Sequence, residues 1–303
     1  MASKEAAKFV EDLKRHGARM AAVAHLPLDD QRVVAEGLQA MTGVPDGVTF
    51  SDASGDAVPG LWVQPSASDG FADTVIIYLH GGGYAFGTPV GYRNLAGHVA
   101  RAAGAKTLVP KYRRAPENPF PAGLDDAVTA YETVLKSGVS AEHVAIVGDS
   151  AGGGLVLSTL LRLRDQGLPL PAAAALMSPW TDLEATGESM TTNADLDLMA
   201  SADGMRTLGS LYASGAIDDP VASPVRADLT NLCPLFIQVG GHETLLDDSI
   251  RLRDKALECG VAVEFEVFPE MQHVFQMGAG HVPEADQAIE KLGAYLRAAL
   301  SKN

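Results

Sequence analysis

A chain of 303 residues, 47% hydrophobic and 20% charged, is long enough for one large α/β domain or two small ones around a sizeable core. The formal net charge of −15 argues against nucleic acid and anionic membrane surfaces as partners. The two cysteines, Cys233 and Cys259, stand in no CxxC or other ligand spacing; this excludes a disulfide framework or a zinc cluster and suits a cytoplasmic protein with free thiols.

The first fifteen residues hold no apolar stretch of the kind a signal peptide needs. The longest apolar runs, such as 172–177, are far too short to span a bilayer. Residues 4–15 place Ala7, Val10, Leu13 and Lys14 at helical spacing, and a second amphipathic piece runs over 29–41. Both precede any strand signal and read as a helical appendage to a sheet. Residues 48–52 and 61–64 are short strands separated by a Ser/Gly/Asp/Pro turn, an antiparallel start. The pattern then changes. The continuous run 74–79 reads as a strand buried on both faces. Helix 93–103, strand 107–110 and helix 123–137 follow, the last with Ala127, Ala130, Tyr131 and Val134 on one side. Next come strand 144–147, helix 155–163 and strand 172–177. Strand 235–240, helix 247–259, strand 261–268 and helix 283–300 complete the chain. Alternating strands and helices give a parallel sheet with helices on both faces. Residues 181–231 interrupt the alternation with helix-like pieces such as 201–212 and no strand, so they form a candidate lid near the strand ends.

The chain is organised around Gly148-Asp149-Ser150-Ala151-Gly152, set between the strand 144–147 and the following helix. Gly-x-Ser-x-Gly at a strand-to-helix turn is the nucleophile-elbow pattern of α/β-hydrolases. A serine so placed needs a base, an acid to orient the base, and donors for an oxyanion, in the chain order Ser, acid, His. Of eight histidines, His273 stands in a loop directly after strand 261–268, and His281, nearer the last helix, is the weaker candidate. Three carboxylates follow strand 235–240. Glu243 is closest to the strand end, whereas Asp247 and Asp248 open a helix, where acids serve capping and the helix dipole. After strand 74–79, His80-Gly81-Gly82-Gly83 offers bare backbone N–H groups for an oxyanion hole, with the N–H of Ala151 as the other donor. Phosphate binding fails on spelling, since neither GxxxxGK[ST] nor GxGxxG with its downstream acid occurs. His242-Glu243-Thr244-Leu245-Leu246 lacks the second histidine of a zinc HExxH.

Together these pieces resemble the hormone-sensitive lipase family, the bacterial family IV esterases of the α/β-hydrolase fold. The resemblance covers nearly the whole chain. It rests on His80-Gly-Gly-Gly-Tyr-Ala-Phe-Gly87, Tyr112-Arg-Arg-Ala-Pro-Glu117, Gly148-Asp-Ser-Ala-Gly-Gly153, Ser178-Pro-Trp-Thr-Asp182 and the His273 loop. It implies an eight-stranded, mostly parallel sheet flanked by helices, with a catalytic domain of residues 46–180 and 232–303. A helical cap is then made by residues 1–45 and 181–231. It further implies a carboxylic ester hydrolase that uses no cofactor or metal and prefers short- to medium-chain acyl esters. Members often dimerise through the last strand, here 261–268. In that reading Ser150, Glu243 and His273 are the triad, and Gly82, Gly83 and Ala151 hold the oxyanion. His80 braces the glycine loop, and Tyr84, Phe86 and Trp180 are candidate pocket walls or packing residues. One departure stands out: the family usually has Asp-Pro-Leu at the acid position, and Glu243-Thr244-Leu245 stands here. Asp149 matches the variant of the elbow with Asp before the serine and reads as a structural hydrogen-bonding residue. A ligand receptor of the same fold with a degraded triad is the rival class, but here all three positions hold competent residues. An amidase or a carbohydrate acetyl esterase would use the same triad.

Overall fold

In the computed structural model, which describes residues 2–66 and 73–301, four strands are buried at every residue: β3 (Val75–Leu79), β5 (Val144–Asp149), β6 (Ala173–Met177) and β7 (Leu235–Gly240). Their near-continuous apolar runs follow from that position, because a parallel sheet is covered on both faces. With β1 (Val48–Asp52), β2 (Gly60–Pro65), β4 (Lys106–Pro110) and β8 (Val263–Phe268) they form one sheet in the order β1-β2-β4-β3-β5-β6-β7-β8. β2 runs antiparallel to both β1 and β4, and the remaining pairs are parallel. The expected antiparallel start is therefore present. β1 and β8 sit at the edges and are the two most exposed strands, with polar residues alternating along each.

Side chains of alternate residues build two cores, one on each face. Val75, Ile77, Ile146 and Ile237 pack beneath α4 (Ala122–Lys136), α5 (Ala151–Asp165) and α8 (Leu246–Glu258). Ile76, Tyr78, Val147 and Phe236 pack beneath α3 (Arg93–Ala103) and α9 (Pro283–Leu300). The parallel register brings Leu79 beside Gly148, Asp149 beside Met177 and Gly240 beside Phe268. All five parallel strands that matter here thus end on one edge, and the loops after them meet there.

That same edge is where the other helices lie. α1 (Lys4–Val23) packs on α2 (Leu28–Gln39). Ser3 caps α1 by accepting from the Ala6 N–H and is itself held by Glu284 of α9. Arg32 of α2 makes a two-pronged contact with Glu117. α1 is longer than its sequence pattern suggested, and its buried stripe is Ala6, Phe9, Leu13 and His16 rather than the stripe through Ala7, Val10 and Lys14. Phe9 and His16 take the inner face, which turns Ala7 and Lys14 to solvent. Residues 181–231 hold the short α6 (Ser189–Thr192), α7 (Ala202–Ala213) and a single 3₁₀ turn at Pro224–Arg226, and no strand.

A second difference concerns α5, which starts at Ala151 and not at Leu155. Glycines are poor helix formers, and Gly152 to Gly154 read as loop. Close packing decides otherwise. A Cβ on Gly152 would run into the Leu79 carbonyl, and one on Gly153 would lie 2.9 Å from Pro179 Cα. Only a helix bare of side chains fits so near the strands.

Candidate active site

Ser150 joins β5 to α5 with φ 52° and ψ −122°, a backbone conformation that costs a non-glycine residue about 1–3 kcal/mol. Its surroundings hold it there. The Ser150 N–H donates to Met177 O at 2.9 Å, and its carbonyl accepts from Trp180 N at 2.9 Å and Gly154 N at 3.1 Å. The side chain is thereby lifted off the end of the sheet.

Three residues from three different loops meet at this point. Ser150 Oγ lies 2.9 Å from His273 Nε2, and His273 Nδ1 lies 3.2 Å from Glu243 Oε1. The other carboxylate oxygen of Glu243 accepts from Gly240 N and from Ser178 Oγ, both at 2.8 Å. Glu243 is fully buried and His273 nearly so. Burial opposes a charge on the imidazole, but the hydrogen bond and charge of Glu243, joined by Asp197 and Asp149, outweigh it and raise the His273 pKa above its ordinary value.

The competing carboxylates do other work. Asp247 accepts from Ser189 N at 2.8 Å and its own N–H donates to Ser189 Oγ, so it fastens α6 and not the N-terminal amides of α8. Asp248 is buried beneath residues 181–182, accepting from both of their N–H groups, and burial pushes its carboxyl up to about 7. His281 is exposed and lies apart from Ser150.

On the other side of Ser150 runs the glycine loop after β3. Gly82 and Gly83 have φ of 108° and 58°, open only to glycine without strain, and their N–H groups donate to no acceptor among the described residues. Asp149 Oδ1 steadies the loop by accepting from Gly81 N at 3.0 Å and Tyr78 OH at 2.8 Å. Burial lifts the Asp149 carboxyl to about 6 against those two bonds. His80 stacks between Tyr92 and Tyr112 and meets the Gly81 carbonyl through Nδ1 at 2.8 Å. Its burial drives the pKa down to about 4, so the ring is neutral.

Ser150 and His273 open into a cavity of about 250 Å³. Gly82, Gly83 and Phe86 form part of its wall, Leu13 and Leu38 come from α1 and α2, and Met199 and Leu208 from the insertion. Of the three aromatic candidates only Phe86 lines it. Tyr84 stacks on Tyr212 with ring centroids 3.6 Å apart, and Trp180 is fully buried with its indole N–H on Asp182 O; both are core residues beneath the cavity. Among the described residues, no group of three His, Cys, Asp or Glu side chains is placed to hold a metal ion.

Comparison with known proteins gives the family and agrees with the fold. A family described as alpha/beta hydrolase fold matches residues 76–277. The acetyl-hydrolase of Streptomyces hygroscopicus is 44% identical over 260 residues, covering 85% of this chain and 84% of that protein. Among solved structures, an esterase from the bacterial hormone-sensitive lipase family superposes with a TM-score of 0.94 at 40% identity, covering 99% of this chain and 100% of the other. The esterase EstE5, in a crystal soaked with p-nitrophenyl butyrate, gives a TM-score of 0.89 at 37% identity over 99% of this chain and 100% of its own. The chain belongs to the hormone-sensitive lipase family of α/β-hydrolases.

Several residues at the site of this family member escaped the sequence reading. Ser178, at φ 49°, bridges Glu243 and the N–H of Val274. Asp197 accepts from Thr244, beside Glu243, and from the N–H groups of Met199 and Ala200 in the cavity wall. Gln272, beside His273, accepts from Leu198 N and donates to Leu196 O. The insertion is thus tied to both loops that bring Glu243 and His273 to Ser150. Ser178 opens the Ser178-Pro-Trp-Thr-Asp182 stretch that carries the resemblance, though without a role assigned to it there, and no motif marks Asp197 or Gln272.

Proposed function

We propose that this carboxylic ester hydrolase works through Ser150 as nucleophile, with His273 as general base and acid and Glu243 as the orienting carboxylate. The observation that carries the reading is the 2.9 Å contact of Ser150 Oγ with a His273 whose other nitrogen meets Glu243. Neutral His273 takes the hydroxyl proton on Nε2 as Oγ bonds to the ester carbonyl carbon. Glu243 accepts from Nδ1–H and stabilises the imidazolium. The carbonyl oxygen, now an oxyanion, is held by the N–H groups of Gly82, Gly83 and Ala151. The bond to the alcohol oxygen breaks as His273 returns its proton there, leaving the acyl group on Ser150. Water then gives a proton to His273 and attacks the acyl carbon. Oγ leaves with that proton, and the carboxylic acid is released.

The small cavity supports short- to medium-chain acyl esters as substrates. So does similarity to an acetyl-hydrolase and to an esterase soaked with a butyrate ester. We assign residues 46–180 and 232–303 to the catalytic domain and residues 1–45 and 181–231 to a cap, because side chains of both latter segments close the cavity over Ser150. β8 is an edge strand with Val267 exposed, which supports a homodimer paired through that strand. The two unpaired thiols support a cytoplasmic setting.

The deciding experiment is hydrolysis of p-nitrophenyl butyrate with organophosphate labelling. Turnover lost in Ser150→Ala and a single adduct on Ser150 are the expected results. An adduct mapped to Ser158 or Ser178 would overturn the assignment.

A further inference from the structure

The buried stripe of α1 ends in a histidine. His16 lines the same cavity as Ser150 and His273, and its surroundings there are apolar: Leu13, Met20, Leu38 and Met199. It is only 9% exposed. Its ring makes no hydrogen bond or ion pair with any described residue, and the ring edge that faces α2 meets Gly37, which has no side chain to offer. Two other polar side chains of the wall have protein partners, although Asp149 Oδ2 is buried without a hydrogen bond. Gln39, in the amide orientation that satisfies it, donates to Ala35 O and Glu36 O, and Asp149 accepts from Tyr78 and Gly81. The His16 ring nitrogens are not among the fully buried unpartnered atoms, so they remain accessible, and an alkyl chain that displaced water from them would leave a polar group without a partner, which is unfavourable.

We propose that His16 is a specificity-determining residue that hydrogen-bonds an oxygen atom (hydroxyl, ether or carbonyl) borne by the ester beyond its scissile group. The hydrolase then prefers oxygen-substituted short esters to plain alkyl esters of the same shape. The proposal rests on the Ser150 reading above. Burial, and the charge of Arg19 after it, lower the His16 pKa, so the ring is neutral near pH 7 and offers one donor and one acceptor. Such a group accepts either polarity of partner. It also discriminates well, because an alkyl ester leaves it unpaired while an oxygenated one satisfies it.

The test compares kcat/KM for two matched pairs in the wild type, His16→Leu and His16→Gln. One pair is p-nitrophenyl 4-oxopentanoate and p-nitrophenyl pentanoate; the other is 2-methoxyethyl acetate and butyl acetate. Intrinsic reactivity cancels when each ratio is compared between proteins. In at least one pair the oxygenated-to-alkyl ratio should fall about tenfold in His16→Leu, the size of one neutral hydrogen bond, and be partly retained in His16→Gln. Ratios that stay within about twofold of wild type in both pairs would overturn the proposal. If His16→Leu is not recovered folded, His16→Phe supplies the same comparison. Ser150→Ala separates the two readings: activity surviving in that variant sinks the nucleophile assignment, whatever the ratios show.

Discussion

Ser178 Oγ donates to Glu243 at 2.8 Å while accepting from the N–H of Val274, the residue after His273. One hydroxyl therefore fixes both the carboxylate and the loop of the imidazole it orients. Ser178→Ala keeps the backbone and removes both bonds. It should lower kcat on the order of tenfold with KM little changed, because the loss falls on triad alignment and not on substrate binding. Steady-state kinetics on p-nitrophenyl butyrate checks this; an unchanged kcat would mean that Gly240 N alone holds Glu243.

The pH profile follows from the competing influences on His273. Burial lowers its pKa, but Glu243 more than offsets that and the net shift is upward. Catalysis needs the neutral ring, so the acid limb of kcat/KM should have its midpoint above the unperturbed value of about 6.5. In Glu243→Gln burial remains and the charge is gone, so an NMR titration of the same imidazole should move below that value. The raised pKa also stabilises the fold most below about pH 6.5, and this contribution fades as pH rises through the folded-state value.

Much of this arrangement is written in local sequence. Strand ends put Ser150, Glu243 and His273 on one edge, and each lies within a few residues of a run that reads as a strand. The start of α5 is not legible, because propensity argues against three consecutive glycines in a helix and only the nearness of β3 explains them. Nor are Asp197, Gln272 and His16. Each acts across more than forty residues of sequence, and a lone polar side chain carries no spacing signal. For Tyr84 and Trp180 the sequence leaves pocket wall and packing both open. Aromatics near a motif suggest a pocket wall, yet packing under the cavity claims both.

The same close approach makes Gly152 a point of failure. Its missing Cβ leaves room for the Leu79 and His80 carbonyls, which are backbone and cannot swing aside. Gly152→Ala should cost more than about 3 kcal/mol, as overpacking against fixed backbone does, and activity should fall with folded protein. Gly55, with open space where a Cβ would go, is the control: Gly55→Ala should stay within about 0.5 kcal/mol. Urea unfolding of both variants measures the difference.

The choice of acid can be put to a direct contest between Glu243 and Asp247. Glu243 is buried against His273, and all its named partners belong to the loops of the site. Asp247 is half-buried and spends its carboxylate on the N–H of Ser189, at the start of α6. An orienting acid fixes the imidazole tautomer and stabilises imidazolium, and its loss typically lowers kcat about 10⁴-fold with the geometry intact. Losing a helix-capping bond instead costs on the order of 1 kcal/mol of stability. Glu243→Gln should therefore nearly abolish turnover of p-nitrophenyl butyrate while the melting temperature moves little. Asp247→Ala should lower the melting temperature by about 2 °C and leave kcat within a few-fold, because α6 loosens while Ser150, His273 and Glu243 keep their contacts. The reverse pattern, a collapsed kcat in Asp247→Ala beside an active Glu243→Gln, would transfer the role to Asp247. It would also require the loop after β7 to rearrange on binding substrate, since His273 Nδ1 meets Glu243 at 3.2 Å in the present arrangement.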